Sequence, residues 1–138
     1  MQARANQRGV ASVERFTGGL YGNDLKAYLT TADVGVAPDL SNDFNDKLAM
    51  IKIFEYMAYG VPVVLYDLPE GRNSANESAL FAKRTDPRDF ADKIAQLLES
   101  NSLRDQLGVA GTKRIVEKLN WGIERQTLLK AYQAALQS

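Results

Sequence analysis

Lys47 and Glu55 stand eight residues apart in the middle of this chain, on either side of a change in sequence character. Before them a short apolar run, Val34 to Ala37, stops at Pro38, and a polar loop follows with Asp39, Ser41, Asn42, Asp43, Asn45, Asp46 and Lys47. From about Leu48 the apolar residues recur at helical spacing. The first N–H groups of a helix lack intrahelical partners and carry partial positive charge. They suit a phosphate or a diphosphate, and Lys47 at the same point adds a full charge. Glu55 falls two turns into the helix, where a carboxylate can accept two hydrogen bonds from a vicinal diol such as a ribose. A plainer reading stands beside this one. A single Glu or Lys on a helix, here Glu55, Lys47 or Lys52, is commonly a solvated side chain, and Asn and Asp in loops commonly serve turns. On residue chemistry alone the segment is an anion site or a solvated helix start.

Composition narrows the chemistry. The 138 residues include neither Cys nor His. Disulfides, thiolate nucleophiles, His-based acid–base work and the usual zinc ligand sets are therefore excluded, and no metal site is expected. Seventeen basic residues balance seventeen acidic ones, so no basic field is available for nucleic acid. The N-terminal Met1 to Gly9 is basic but has no apolar run after it, which does not fit a signal peptide. No apolar stretch approaches the ~18 residues of a membrane span, and the cytoplasm is the expected compartment.

The elements that must position these residues alternate in type. A strand is expected at residues 13–16, ending at Thr17, Gly18 and Gly19, after a loose polar start. A helix capped by Asn23 or Asp24 runs to Ala32, and a strand covers residues 34–37. The central helix spans residues 48–59, with Met50, Ile51, Phe54, Met57 and Ala58 on its apolar face and Gly60 as its stop. Further strands are expected at residues 62–66 and 79–82, separated by a turn-rich loop over residues 68–78. Asp86 and Pro87 open a helix striped with Phe90, Ile94, Leu97 and Leu98. Two helices end the chain, from about Ser102 to Leu119 and from Trp121. The last carries Leu128, Leu129, Tyr132 and Leu136, and Trp121 is expected to anchor it in the core. This alternation predicts an α/β, Rossmann-like parallel sheet with helices on both faces, as one domain over residues 1–138. Ligands of such sheets bind beyond the carboxyl ends of the strands, which directs attention to residues 38–47 and 67–78.

The run Ile53, Phe54, Glu55, Tyr56, Met57, Ala58, Tyr59, Gly60, Val61, Pro62, Val63, Val64 resembles the helix–turn–strand signature of family 4-type (group 1) glycosyltransferases. Arg15 to Gly18, Leu25 to Pro38, Asp67 to Arg72, Ala79 to Phe81, Asp86 with Pro87, and Trp121 follow in that family's order. The resemblance covers nearly the whole chain from Val13 and implies the C-terminal, donor-binding domain of the GT-B fold. It implies that Glu55 holds the ribose hydroxyls of a nucleotide donor. It further implies that the amides of Ala49, Met50 and Ile51 receive the diphosphate. The stretch Asn45, Asp46, Lys47, Met50, Ile51, Lys52, Glu55, Tyr56, Met57, Ala58 also resembles a variant of the family, so Lys47 need not signal lost activity; Asn45, Lys47 and Lys52 are further donor-site candidates.

Two departures matter. The common pattern has a Glu where this chain has Lys47; a lysine there can neutralise the leaving phosphate and is the one candidate catalytic residue. Family C-terminal domains also begin with a further strand, glycine-rich loop and helix, and an acceptor-binding N-terminal domain precedes them. Both are missing here, so the chain alone is expected to be an incomplete, inactive half of a retaining hexosyltransferase. Its substrate is a nucleotide diphosphate-sugar, with no cofactor and no metal, and its partner is the N-terminal half in cis or in trans. The rival expectations are a non-catalytic nucleotide-binding module, and an interaction domain that self-associates through its open edge. Glu70 and Arg72, at a strand's carboxyl end, either face the cleft or form a salt-bridged loop. Lys113, Arg114, Lys118 and Arg125 read as a solvated helical face.

Overall fold

The computed structural model describes residues 2–137. Three short apolar runs form the sheet: β1 (Gly35–Ala37), β2 (Val63–Tyr66) and β3 (Ala79–Ala82). All are parallel, in the order β1-β2-β3, with Gly35 beside Val63 and Val63 beside Ala79. The helices are α1 (Gln2–Gln7), α2 (Gly22–Thr31), α3 (Ile51–Ala58), α4 (Pro69–Ala75), α5 (Pro87–Glu99), α6 (Asn101–Glu117) and α7 (Trp121–Leu136). Short 3-10 turns cover Asn45–Lys47 and Asn76–Ser78.

β2 is buried along its whole length, and its side chains alternate between two cores. Val63 and Leu65 join Ile53, Met57 and Ala75 on one face. Val64 and Tyr66 join Phe90, Leu97 and Leu107 on the other. A parallel strand covered on both faces must be apolar without alternation, which is why Pro62 to Tyr66 reads as a continuous run. Helices thus lie on both faces of the sheet, as expected. Asp86 caps α5 by accepting from the N–H groups of Arg88 and Asp89, with Pro87 at the first helical position.

α3 starts at Ile51 rather than near Leu48, and it buries a different face from the expected one. Ile53 and Met57, one turn apart, are 1% and 0% exposed, whereas Ile51 is 73% exposed. Apolar residues occupy so many positions between Met50 and Ala58 that spacing alone cannot set the phase. Contact with β2 sets it, together with Tyr56, whose ring lies 2.6 Å from where a Cβ on Gly35 would be. Gly60 ends the helix with φ +71°, a conformation glycine adopts without cost. Small residues also fix α6: a Cβ on Gly108 would run into the Gly60 carbonyl oxygen, and one on Gly111 would lie 3.3 Å from Met57.

Five further expectations are corrected. Residues 14–21 form no strand, and Val13 and Phe16 are exposed. A strand there needs a ladder partner, and among the described residues the outer edge of β1 has none. The polar N-terminus is helical in α1, which buries Ala5. The start of α2 is flanked by Tyr21, without a side-chain cap, so Asn23 and Asp24 fall inside its first turn. Residues 68–78 form α4 and a 3-10 turn, because Pro69 opens a helix whose small residues Gly71, Ser74 and Ala75 pack inward. Leu98 lies outside the stripe of α5, at 54% exposed.

Trp121 is no core anchor either. It is 67% exposed, and α7 has no buried residue. Asn120 caps α7 by accepting from the N–H of Ile123, and the helix buries nothing beyond this start. Leu128, Leu129, Tyr132 and Leu136 are all exposed. A chain ending at Asn120 is therefore expected to keep its thermal midpoint within a few degrees, as checked by circular dichroism, since no core area is lost.

Candidate functional site

The carboxyl ends of the three strands carry Asp39, Asp67 and Arg84 within two residues of the last strand position. The loop after β1 is braced by its own side chains. Asn42 Oδ1 accepts from the N–H groups of Phe44 and Asn45 at 3.0 and 2.8 Å. Asn45 Nδ2 donates to the Leu40 carbonyl at 2.8 Å, and Ser41 Oγ donates to Asp46 at 3.0 Å. The site candidate Asn45 is thus committed to shaping the loop.

That loop delivers the start of α3 uncapped. Met50 flanks the first turn in extended geometry, and no side chain caps it. The Ile53 N–H turns back to the Met50 carbonyl at 3.0 Å. Among the described residues, the N–H groups of Ile51 and Lys52 have no protein acceptor. The later helix start leaves Ala49 and Met50 ahead of the first turn and Ile51 within it. Lys47 closes the 3-10 turn, exposed and without an ion pair among the described residues. Lys52 is paired: its Nζ donates to Asp39 Oδ1 at 2.9 Å. Glu55, one turn beyond Lys52, is exposed, and its carboxylate has no partner among the described residues.

Glu70 and Arg72 do not pair with each other. Glu70 accepts from Asn73 and Ser74 within α4. Arg72 Nε donates to Asp67 at 2.7 Å, and its guanidinium lies 4.2 Å from the centre of the Phe81 ring. The hydrogen bond from Arg72 holds the Asp67 carboxyl below its ordinary value of 3.8, burial opposes this, and the charges of Arg72 and Arg84 assist. The same contact raises Arg72. A carboxyl lowered on folding stabilises the fold above its unfolded value and loses that contribution as pH falls through the folded value. The pair is about half exposed, so solvent limits it to about 0–1 kcal/mol. An NMR titration is expected to place the Asp67 midpoint below 3.8 and to show it rising in Arg72→Gln, with little change in stability.

Asp39, Asp67 and Arg84 were not singled out by sequence reasoning. The signal available for Asp39 was its place just past Pro38 at a strand end. Arg84 Nε donates to the Asp67 carbonyl at 2.6 Å and its guanidinium approaches Asp46 at 3.9 Å, joining the loops after all three strands. Arg114 is also no solvated residue: it donates to the Ser74 and Asn73 carbonyls at the end of α4.

The hollows of the molecule do not centre on α3's start. Between the strand ends, Asp39, Asn45, Met50 and Leu68 border a slot of about 10 Å³, room for roughly one water. A hollow of 590 Å³ lies at the opposite, amino-terminal ends of the strands, beside Asp33, Pro62 and Arg104. Another of 620 Å³ lies beside the outer edge of β1, lined by Ala5, Val10, Phe16 and Val36. Open parallel sheets bind ligands at their carboxyl ends, so position and chemistry outweigh volume here. The start of α3 borders open surface and no enclosed pocket.

A sequence model of the family described as glycosyl transferases, group 1, matches residues 1–100. The chain is 27% identical over 131 residues to the MMP alpha-(1->4)-mannosyltransferase of Mycolicibacterium hassiacum, covering 93% of this chain and 31% of that protein. Its fold superposes with a TM-score of 0.86 on a sucrose-phosphate synthase from Thermosynechococcus elongatus at 20% identity, covering 98% of this chain and 33% of that one. The chain spans about a third of the length of each. No helix among the described residues is long and apolar enough to cross a membrane. The group 1 signature around α3, the parallel sheet and the family match over most of the chain agree: this chain is a glycosyltransferase domain of the GT-B type and belongs to the group 1 family.

Proposed function

We propose that this domain binds the nucleotide diphosphate-sugar donor of a retaining hexosyltransferase, and that a second domain supplies the acceptor site. The observation that carries the reading is the start of α3. Uncapped N–H groups, Lys52 and Glu55, whose carboxylate has no partner among the described residues, follow one another along the first turns, just beyond the carboxyl end of β1. The amides of Ile51 and Lys52 and the nearby cations Lys47 and Lys52 take the diphosphate, and Glu55 takes the ribose diol. Lys47 faces the leaving phosphate. Ala49 and Met50 lend backbone ahead of the helix, and Asn45 holds the loop that presents them. Glu70 and Arg72 shape the neighbouring strand end.

The partner half has two open surfaces to meet, the outer edge of β1 and the apolar stripe of α7. A cleft completed from both sides excludes water and orients an acceptor, which half a cleft cannot do. The test is calorimetric titration of the chain with UDP, GDP and ADP, followed by a transfer assay with and without an acceptor-binding half. Saturable binding of one nucleotide, with turnover only when both halves are present, is the expected result. Absence of binding to a folded chain would refute the donor-site assignment.

The exposed α7 stripe favours one other reading, a self-associating interaction module. Sedimentation across a range of concentrations separates the two. A monomer that binds nucleotide supports the donor half, and a concentration-dependent oligomer that binds none supports the module.

A further inference from the structure

Lys52 sits at the second position of α3, where the backbone carries its positive end. A cation there is repelled by its own helix. The side chain is 38% exposed, so packing does not demand it. Its ammonium is nevertheless tied down from 13 positions upstream. Asp39 accepts from Nζ through Oδ1 at 2.9 Å and brings Oδ2 to 2.7 Å. That second oxygen is covered by the fold and, among the described residues, accepts no hydrogen bond, with the Lys52 ammonium as its ion-pair partner. The Asp39 side chain, 24% exposed, also borders the slot shared with Asn45 and Met50 at the strand ends.

An ion pair of this exposure adds little to stability. Its effect here is geometric. It holds a cation in place against the field of its own helix, on the first turn, where the N–H groups of Ile51 and Lys52 have no protein acceptor among the described residues. A lysine has three donors, so an ammonium engaged on one side by Asp39 still offers the others to an anion.

We propose that Asp39 is a positioning residue of the donor site, fixing the Lys52 ammonium where it meets the diphosphate together with the free amides of α3. The inference rests on the donor-site reading of α3. Asp39 does not touch the ligand, since a carboxylate facing a diphosphate would repel it. Without Asp39 the helix field drives Lys52 toward solvent, and its contribution is lost although the residue remains.

A double-mutant cycle on the whole chain tests this, using calorimetry with whichever of UDP, GDP and ADP binds. Lys52→Met and Asp39→Asn are each expected to lower affinity about five- to ten-fold, with the double variant no weaker than Lys52→Met alone. That non-additivity is the readout a merely structural Asp39 would not give; its loss would then weaken binding in the Lys52→Met background as well, which overturns the proposal. Unchanged or tighter binding by Asp39→Asn also overturns it, the latter showing that Asp39 masks the lysine. A folded wild-type chain that binds none of the three overturns the donor-site reading and this inference together. Wild-type binding with a neutral Asp39→Asn removes only the inference.

Discussion

Glu55→Ala is expected to lower the affinity of the proposed donor site for a nucleoside diphosphate more than ten-fold while leaving the thermal midpoint unchanged. The two halves of that expectation have separate origins. Glu55 is exposed and its carboxylate has no partner among the described residues, so its removal breaks nothing in the fold. Alanine is also the better helix former, and exposed changes of this kind stay within about 0.5 kcal/mol. Binding is another matter. A carboxylate accepting from two ribose hydroxyls makes charged hydrogen bonds, each of about 1.5–3 kcal/mol. Loss of one such bond already corresponds to roughly ten-fold in affinity. Glu55→Gln keeps an acceptor and removes the charge, so it is expected between the wild type and Glu55→Ala. Calorimetry with each variant gives the affinities, and a melt of the same samples gives the stability. Unfolding of Glu55→Ala would make the residue structural and end its assignment as a ligand. A folded variant with undiminished affinity would move the ribose contact elsewhere.

The strands and most helices were legible because their signals are local. Pro62 to Tyr66 reads as a buried strand from composition alone, and Asp86 with Pro87 announces α5 by its cap chemistry. What failed depends on neighbours. Residues 13–16 offer only Val13 and Phe16 around Glu14 and Arg15, a weak strand signal, and a strand forms only beside another, whereas β1's outer edge has no partner among the described residues. α7 is amphipathic in sequence, which ordinarily means a buried face, yet here the stripe has no core to meet. The phase of α3 was hidden by an excess of apolar residues and is decided by β2 and Gly35. At the candidate site, α3 as an element was legible from the sequence, but its start lies at Ile51, three residues later than expected. The Asp39–Lys52 and Arg72–Asp67 pairs were not legible, because a side chain's partner depends on which loops the sheet brings together.

The same dependence on neighbours makes Gly108→Ala the most damaging small substitution expected in the fold. In isolation the change should help, since alanine is favoured over glycine inside a helix by about 1 kcal/mol. Gly108 is buried in α6, however, and a Cβ there meets the Gly60 carbonyl oxygen and carbon, not the end of a flexible side chain. Backbone cannot rotate away. Gly60 is itself held by φ +71° at the end of α3, so the turn cannot give without disturbing the helix that carries Glu55 and Lys52. The remaining relief is for α6 to lift off α3, opening the contacts of Met57 with Gly111. Overpacking of this kind costs about 1–3 kcal/mol and more when backbone is the obstacle. The clash outweighs the propensity gain, and a net loss of about 2–3 kcal/mol is expected in urea denaturation. Gly111→Ala gives the graded comparison. Its Cβ would approach Met57 at 3.3 Å, mostly side-chain atoms that can shift by tenths of an ångström, so its loss is expected to be smaller. Val109→Ala, on the exposed side of the same helix, is expected near zero. If Gly108→Ala proves as stable as Val109→Ala, the close approach of α6 to the α3 turn is wrong, and with it the account of what holds α3 against the sheet.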